Sequence, residues 1–172
     1  MNPLELLNNI DNIKYGFIDK YGVVHKNAKK DFFLSNYHIE SDEVIKKELI
    51  GTCIESVELT RSFFKSHNLD IDSYIIYYDN EEKIASHTIA VLEFNNKFYY
   101  LEKSLINIEP AIYNSLNEIL NKLIKEYPRM YKIKDLDKNK IHVYKYPKPK
   151  YNLTYKEFID YVKTCEEIDW RV

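Results

Sequence analysis

The hydrophobic pattern changes period several times along this chain, and each change marks an element. Leu4, Leu7 and Ile10 form one stripe behind Pro3, which predicts a short helix over 3–13. Residues 15–25 predict a small strand-turn-strand, with the turn at Asp19-Lys20-Tyr21-Gly22. Residues 27–40 are polar and aromatic without a period, and predict a loop. Ser41 or Asp42 caps a short helix running to Leu49, and Gly51 then breaks the chain. Ile54, Val57, Phe63 and Phe64 follow helical spacing from Cys53 to Ser66.

The pattern then turns to strands at 73–78, 86–94 and 97–102, which are rich in β-branched and aromatic residues. Asn95-Asn96 is a hairpin turn, because Asn tolerates the left-handed region. Ser115-Leu116-Asn117-Glu118 opens a helix that Pro128 should stop near Tyr127. A strand at 140–146, the stiff Pro147-Lys148-Pro149 connector and a helix from Thr154 to about Glu166 complete the chain. The expected class is α+β, with helices early and late around an antiparallel sheet. The helix bearing Cys53 should pack on that sheet.

Composition narrows the picture. The 172 residues are 45% hydrophobic, enough for a single domain over 1–172 with its own core. Net charge is -2, and the basic residues are dispersed, so no basic footprint marks a nucleic-acid binder. The first 17 residues have neither a basic start nor a long apolar run, and no other run reaches membrane-spanning length. Two cysteines, Cys53 and Cys165, rule out a disulfide framework. The expectation is a cytoplasmic protein with reduced thiols and no membrane partner. No His-x-x-x-His, Cys-x-x-Cys or Gly-rich phosphate loop occurs, so neither a metal nor a cofactor is expected.

The candidate chemistry is carried by Cys53, His87 and Glu102. An ordinary thiol, with a pKa of about 8.5, is mostly protonated at neutral pH. A helix N-terminus stabilises a thiolate, and so does a neighbouring imidazolium. Cys53 has the first by position, and its backbone N–H at the helix start can meet an oxyanion. Strand register selects the histidine. With Asn95-Asn96 as a two-residue turn, Phe94 pairs with Lys97 and Ile89 with Glu102. His87 then becomes a diagonal neighbour of Glu102 on the same face. A three-residue loop would put Glu102 on the opposite face. Glu93 shares the His87 face but lies further along the strand. Tyr37, in the 30–40 loop, is a candidate second oxyanion donor.

Gly51-Thr52-Cys53, Ser86-His87-Thr88-Ile89 and Tyr100-Leu101-Glu102 resemble, in order and spacing, the transglutaminase-like superfamily of cysteine enzymes. The run Tyr15-Gly16-Phe17-Ile18-Asp19 and the run Gly51 to Leu59 look like its small bacterial and phage-associated members. The resemblance covers about residues 12–105 and leaves 106–172 as a helix-strand-helix elaboration. It departs at Glu102, where such sequences usually have Asp, and at Ile54-Glu55-Ser56, where they often read Trp-Asp-Gln. It implies a papain-like core and a Cys53–His87–Glu102 triad. The implied chemistry is acyl transfer or hydrolysis at an amide or isopeptide bond of a peptide or protein substrate. A fold that keeps this architecture as an inactive interaction module is the alternative, and an enzyme of small-molecule thioesters is a third.

Overall fold

A computed structural model describes residues 2–104 and 108–171. Helix α1 (Pro3–Leu7) is shorter than its stripe predicts. The Asn- and Asp-rich stretch after it favours turns over helix, and Lys14 and Tyr15 instead form strand β1. Strands β2 (Phe17–Ile18) and β3 (Val24–His25) make the expected hairpin. Gly22, with φ of 79°, donates its N–H to Asp19 O at 2.8 Å across the turn.

Residues Lys30–Asn36, expected as loop, form helix α2. None of its residues is fully buried, so no clean apolar stripe reveals it in the sequence. Helix α3 (Asp42–Glu48) is capped by Ser41, as expected. Strand β4 (Ile50–Gly51) runs parallel to β1 and leads into α4 (Cys53–Ser66).

The main sheet has six strands: β5 (Asp72–Asp79), β6 (Ile84–Phe94), β7 (Lys97–Tyr100), β8 (Ala111–Tyr113), β9 (Ile141–Tyr146) and β10 (Glu166–Glu167). Their spatial order is β10-β9-β5-β6-β7-β8, antiparallel throughout. The protein is therefore α+β with a central antiparallel sheet. Strand β9 lies beside β5 within the sheet, so the C-terminal third is built into the same core as the rest.

Helix α5 (Leu116–Tyr131) covers one face of the sheet. Its Ile119, Leu120, Leu123, Ile124 and Tyr127 pack on Ile76, Ile89, Val91 and Val143. Each such burial stabilises the fold by about 2 kcal/mol of transfer free energy. Helix α4 packs Val57 and Phe64 on Ala90 and Leu92 of the opposite face. Helix α6 (Tyr155–Val162) joins that face through Phe158, Ile159 and Val162.

Three C-terminal expectations change. Helix α5 continues past Pro128 to Tyr131, because the missing N–H removes one bond from the last turn only. Beyond it, Ile133 N–H returns to Pro128 O at 3.0 Å, and Tyr131 is anchored on Ser86. Helix α6 ends at Val162 rather than Glu166, whose strand pairs with β9. The three-residue strand β8 carries too little pattern to be read. Among the described residues no helix is long and apolar enough to cross a membrane.

Candidate functional site

The site forms where two strands differ in length. The β6–β7 hairpin has the two-residue turn, with Asn95 at φ 51° and Asn96 at φ 57°. Phe94 pairs with Lys97, and the last pair is Val91 with Tyr100. Leu101 N–H still reaches Ala90 O at 2.9 Å. Beyond that point the first half of β6 has no strand partner on this side among the described residues. Cys53, at the start of α4, lines a cleft together with Ile84, Ala85 and Ser86 of that strand.

This register brings His87 and Glu102 together. His87 Nε2 lies 3.1 Å from Glu102 Oε2, and the two side chains are only 4% and 1% exposed. Glu102 is held by two further donors. Tyr100 Oη donates to Oε2 at 2.9 Å, the Ser104 N–H donates to Oε1 at 2.5 Å, and both oxygens are withdrawn from solvent. Burial pushes this carboxyl up, but the His87 hydrogen bond and charge, with Ser104 and Tyr100, hold it below the usual carboxylate range.

Burial also opposes a charged His87. The neighbouring Cys53 and Glu102, the latter through its hydrogen bond and charge, outweigh it and raise the imidazole to about 10. The structure thus brings Cys53, His87 and Glu102 together, with a hydrogen bond between the last two. Cys53 itself is partly exposed and not in a disulfide, as is Cys165, whose thiol donates to Tyr161 O at 3.5 Å. Glu93 is exposed on β6 and pairs with Phe98, away from this network.

The N-terminus of α4 is clamped by a second buried glutamate. Thr52 and Glu55 form a capping box, with Thr52 N–H donating to Glu55 Oε2 at 2.8 Å. Tyr37 Oη donates to Glu55 Oε1 at 2.7 Å. Tyr37 is 1% exposed, so it braces the cap and is not the second oxyanion donor expected from the sequence. Gly51 is also explained differently from the expected sharp turn. It sits buried in β4, and a Cβ there would lie 2.9 Å from Glu55 Cβ and 3.0 Å from Ile13 Cδ1. Glycine is needed for this close approach.

The cleft at Cys53 measures about 190 Å³ and has aromatic walls: Tyr15, Phe33, Tyr131 and Tyr155. Tyr131 Oη donates to Ser86 O at 2.7 Å, and Tyr155 Oη lies 2.8 Å from Ser86 Oγ. These two tyrosines come from the ends of α5 and α6, which sequence reasoning treated as remote from the chemistry. The Thr52-x-x-Glu55 capping signature was present in the sequence and is the one local signal that finds Glu55. Nothing local finds Tyr131 or Tyr155. Among the described residues no three His, Cys, Asp or Glu side chains converge as metal ligands would. Set against known protein families and curated proteins, the chain matches no family model and no curated sequence.

Proposed function

We propose that the protein is a transglutaminase-like cysteine enzyme that cleaves an amide or isopeptide bond of a peptide or protein through a thioester. The observation that carries this is the buried His87–Glu102 pair, with Cys53 close enough to influence the imidazole, at a helix N-terminus and lining a cleft. Such an arrangement favours a thiolate–imidazolium pair over the two neutral forms.

In the first half-reaction the Cys53 thiolate attacks the carbonyl carbon and a C–S bond forms. The first-turn N–H of Cys53 meets the developing oxyanion. The C–N bond then breaks, and the imidazolium of His87 gives its proton to the departing amine. In the second, water attacks the thioester, His87 takes its proton, the C–S bond breaks and the thiolate returns. Glu102 occupies Nε2, which leaves Nδ1 for these transfers, and its charge stabilises the imidazolium. Hydrolysis is favoured over transfer, because no motif in the sequence marks an amine-binding site.

The test is the iodoacetamide alkylation rate of Cys53 from pH 5 to 9, mapped by mass spectrometry against Cys165. Cys53 should label fast well below pH 8. An unassisted thiol is only about 1% thiolate at pH 6.5, so His87→Gln should slow labelling there on the order of 30-fold. A Cys53 that labels like Cys165 and ignores His87 removes the enzyme reading and leaves the fold as an interaction module.

A further inference from the structure

A second and larger cleft adjoins the one at Cys53. It measures about 510 Å³ and shares Tyr15, Lys30, Phe33 and Thr52 with its neighbour. The two are lobes of one groove that runs past Cys53. The charge along that groove is of one sign. Lys30 is the charged side chain lining the first lobe, and the second adds Lys26 and His25. No Asp or Glu lines either lobe.

His25 is already neutralised locally. Its Nε2 lies 2.8 Å from Asp19 Oδ2, and its ring stacks on Phe17 at 5.0 Å. Lys26 and Lys30 differ. Both are exposed, and among the described residues neither has a carboxylate within ion-pair distance. Other lysines do have one: Lys145 is 2.7 Å from Asp72, and Lys156 is 2.6 Å from Asp160. The groove therefore offers two ammonium groups without an ion-pair partner beside an aromatic wall and Cys53.

Resting on Cys53 as the nucleophile, we infer that the substrate is a peptide segment with an acidic side chain close to the scissile carbonyl, its carboxylate held by Lys26 and Lys30. The aromatic lobe takes the residue nearest the carbonyl, and the larger lobe takes the acidic one. An Asp or Glu side chain meets complementary charge there, whereas a Lys or Arg meets two like charges.

The experiment uses the full chain and three sets of acetyl-tetrapeptide chloromethyl ketones. One carries Asp or Glu near the ketone, one carries Lys, and one is neutral. The reagent alkylates sulfur with loss of chloride, so the rate at Cys53 reports binding together with nucleophilicity, and Cys165 is the internal control. The acidic set should label Cys53 about fivefold faster than the neutral set at low salt, and the Lys set more slowly than either. The acidic advantage should shrink in about 1 M salt. In Lys26→Gln/Lys30→Gln the acidic-to-neutral ratio should fall to one. Equal rates for the three sets on the native protein overturn the inference while Cys53 still outpaces Cys165. If no set labels Cys53 faster than Cys165, the nucleophile itself fails and the substrate inference falls with it. The salt dependence is read on the unaltered protein, so the outcome does not depend on whether the double variant folds.

Discussion

The start of α4 and the end of the β6–β7 hairpin each hold a buried glutamate, yet the two carboxylates have different partners. Glu55 accepts from Thr52 N–H and Tyr37 Oη, groups within its own helix cap and from the segment between α2 and α3. It fixes where Cys53 sits. Glu102 accepts from Tyr100, Ser104 and the titrating His87, and it sets the charge on that imidazole. Burial does not separate the two carboxylates. A titratable partner does, and under the proposed function that makes Glu102 the one placed for chemistry.

This contrast can be broken by substitution. Glu55→Ala strands the Thr52 N–H and the Tyr37 hydroxyl in the interior and removes a helix cap. It should lower unfolding free energy by about 3 kcal/mol, read from urea midpoints. If it costs nothing, α4 is not held by its cap. The next effect is smaller and depends on pH. Glu102→Gln keeps an acceptor for Tyr100 and Ser104 but removes the charge on which His87 leans. Folding raises His87 from 6.5 to about 10, so its contribution is complete below pH 6.5 and lost as pH rises towards 10. Folding lowers Glu102 from 4.5, so its contribution is complete above pH 4.5 and lost as pH falls through the lowered value. The stability gap between the native protein and Glu102→Gln should therefore be widest near pH 5–6 and close towards pH 10. A gap that is flat across this range would make Glu102 a second structural carboxylate.

A weaker test concerns the register that places Glu102. Both turn residues lie at positive φ, so Asn96→Gly should stabilise the hairpin by about 0.5 kcal/mol and leave Cys53 alkylation unchanged. A change in the alkylation profile would show that the hairpin turn reaches the site. The removal of one wall hydroxyl, Tyr131→Phe, should cost about 1 kcal/mol through the lost bond to Ser86 O. Its labelling rate with neutral peptide probes shows whether that tyrosine positions the first half of β6.

Much of this site was legible because its determinants are local or periodic. Asn95-Asn96 specifies a two-residue turn, and a period of two carries the register from Phe94–Lys97 to Val91–Tyr100; the expected Ile89–Glu102 pair does not form, yet Glu102 still reaches His87. The helix start at Cys53 is written in Thr52 and Glu55. Helix α2, by contrast, left no stripe to read, and Pro128 reads as a stop that packing overrides. Tyr37 was placed near the site correctly and given the wrong partner, since a hydroxyl's acceptor depends on which side chains burial brings around it.

The sequence by itself determined the α+β class and the turn that aligns His87 with Glu102. Each of these follows from spacing or composition within a few residues. Only the tertiary structure decided that β7 ends at Tyr100 and that Tyr131 and Tyr155 wall the cleft. It alone decided that Lys26 and Lys30 share a groove with Cys53. These are contacts between residues far apart in the chain, made by the packing of α2, α5 and α6 around one sheet, and no local pattern encodes which side chains such packing will bring together.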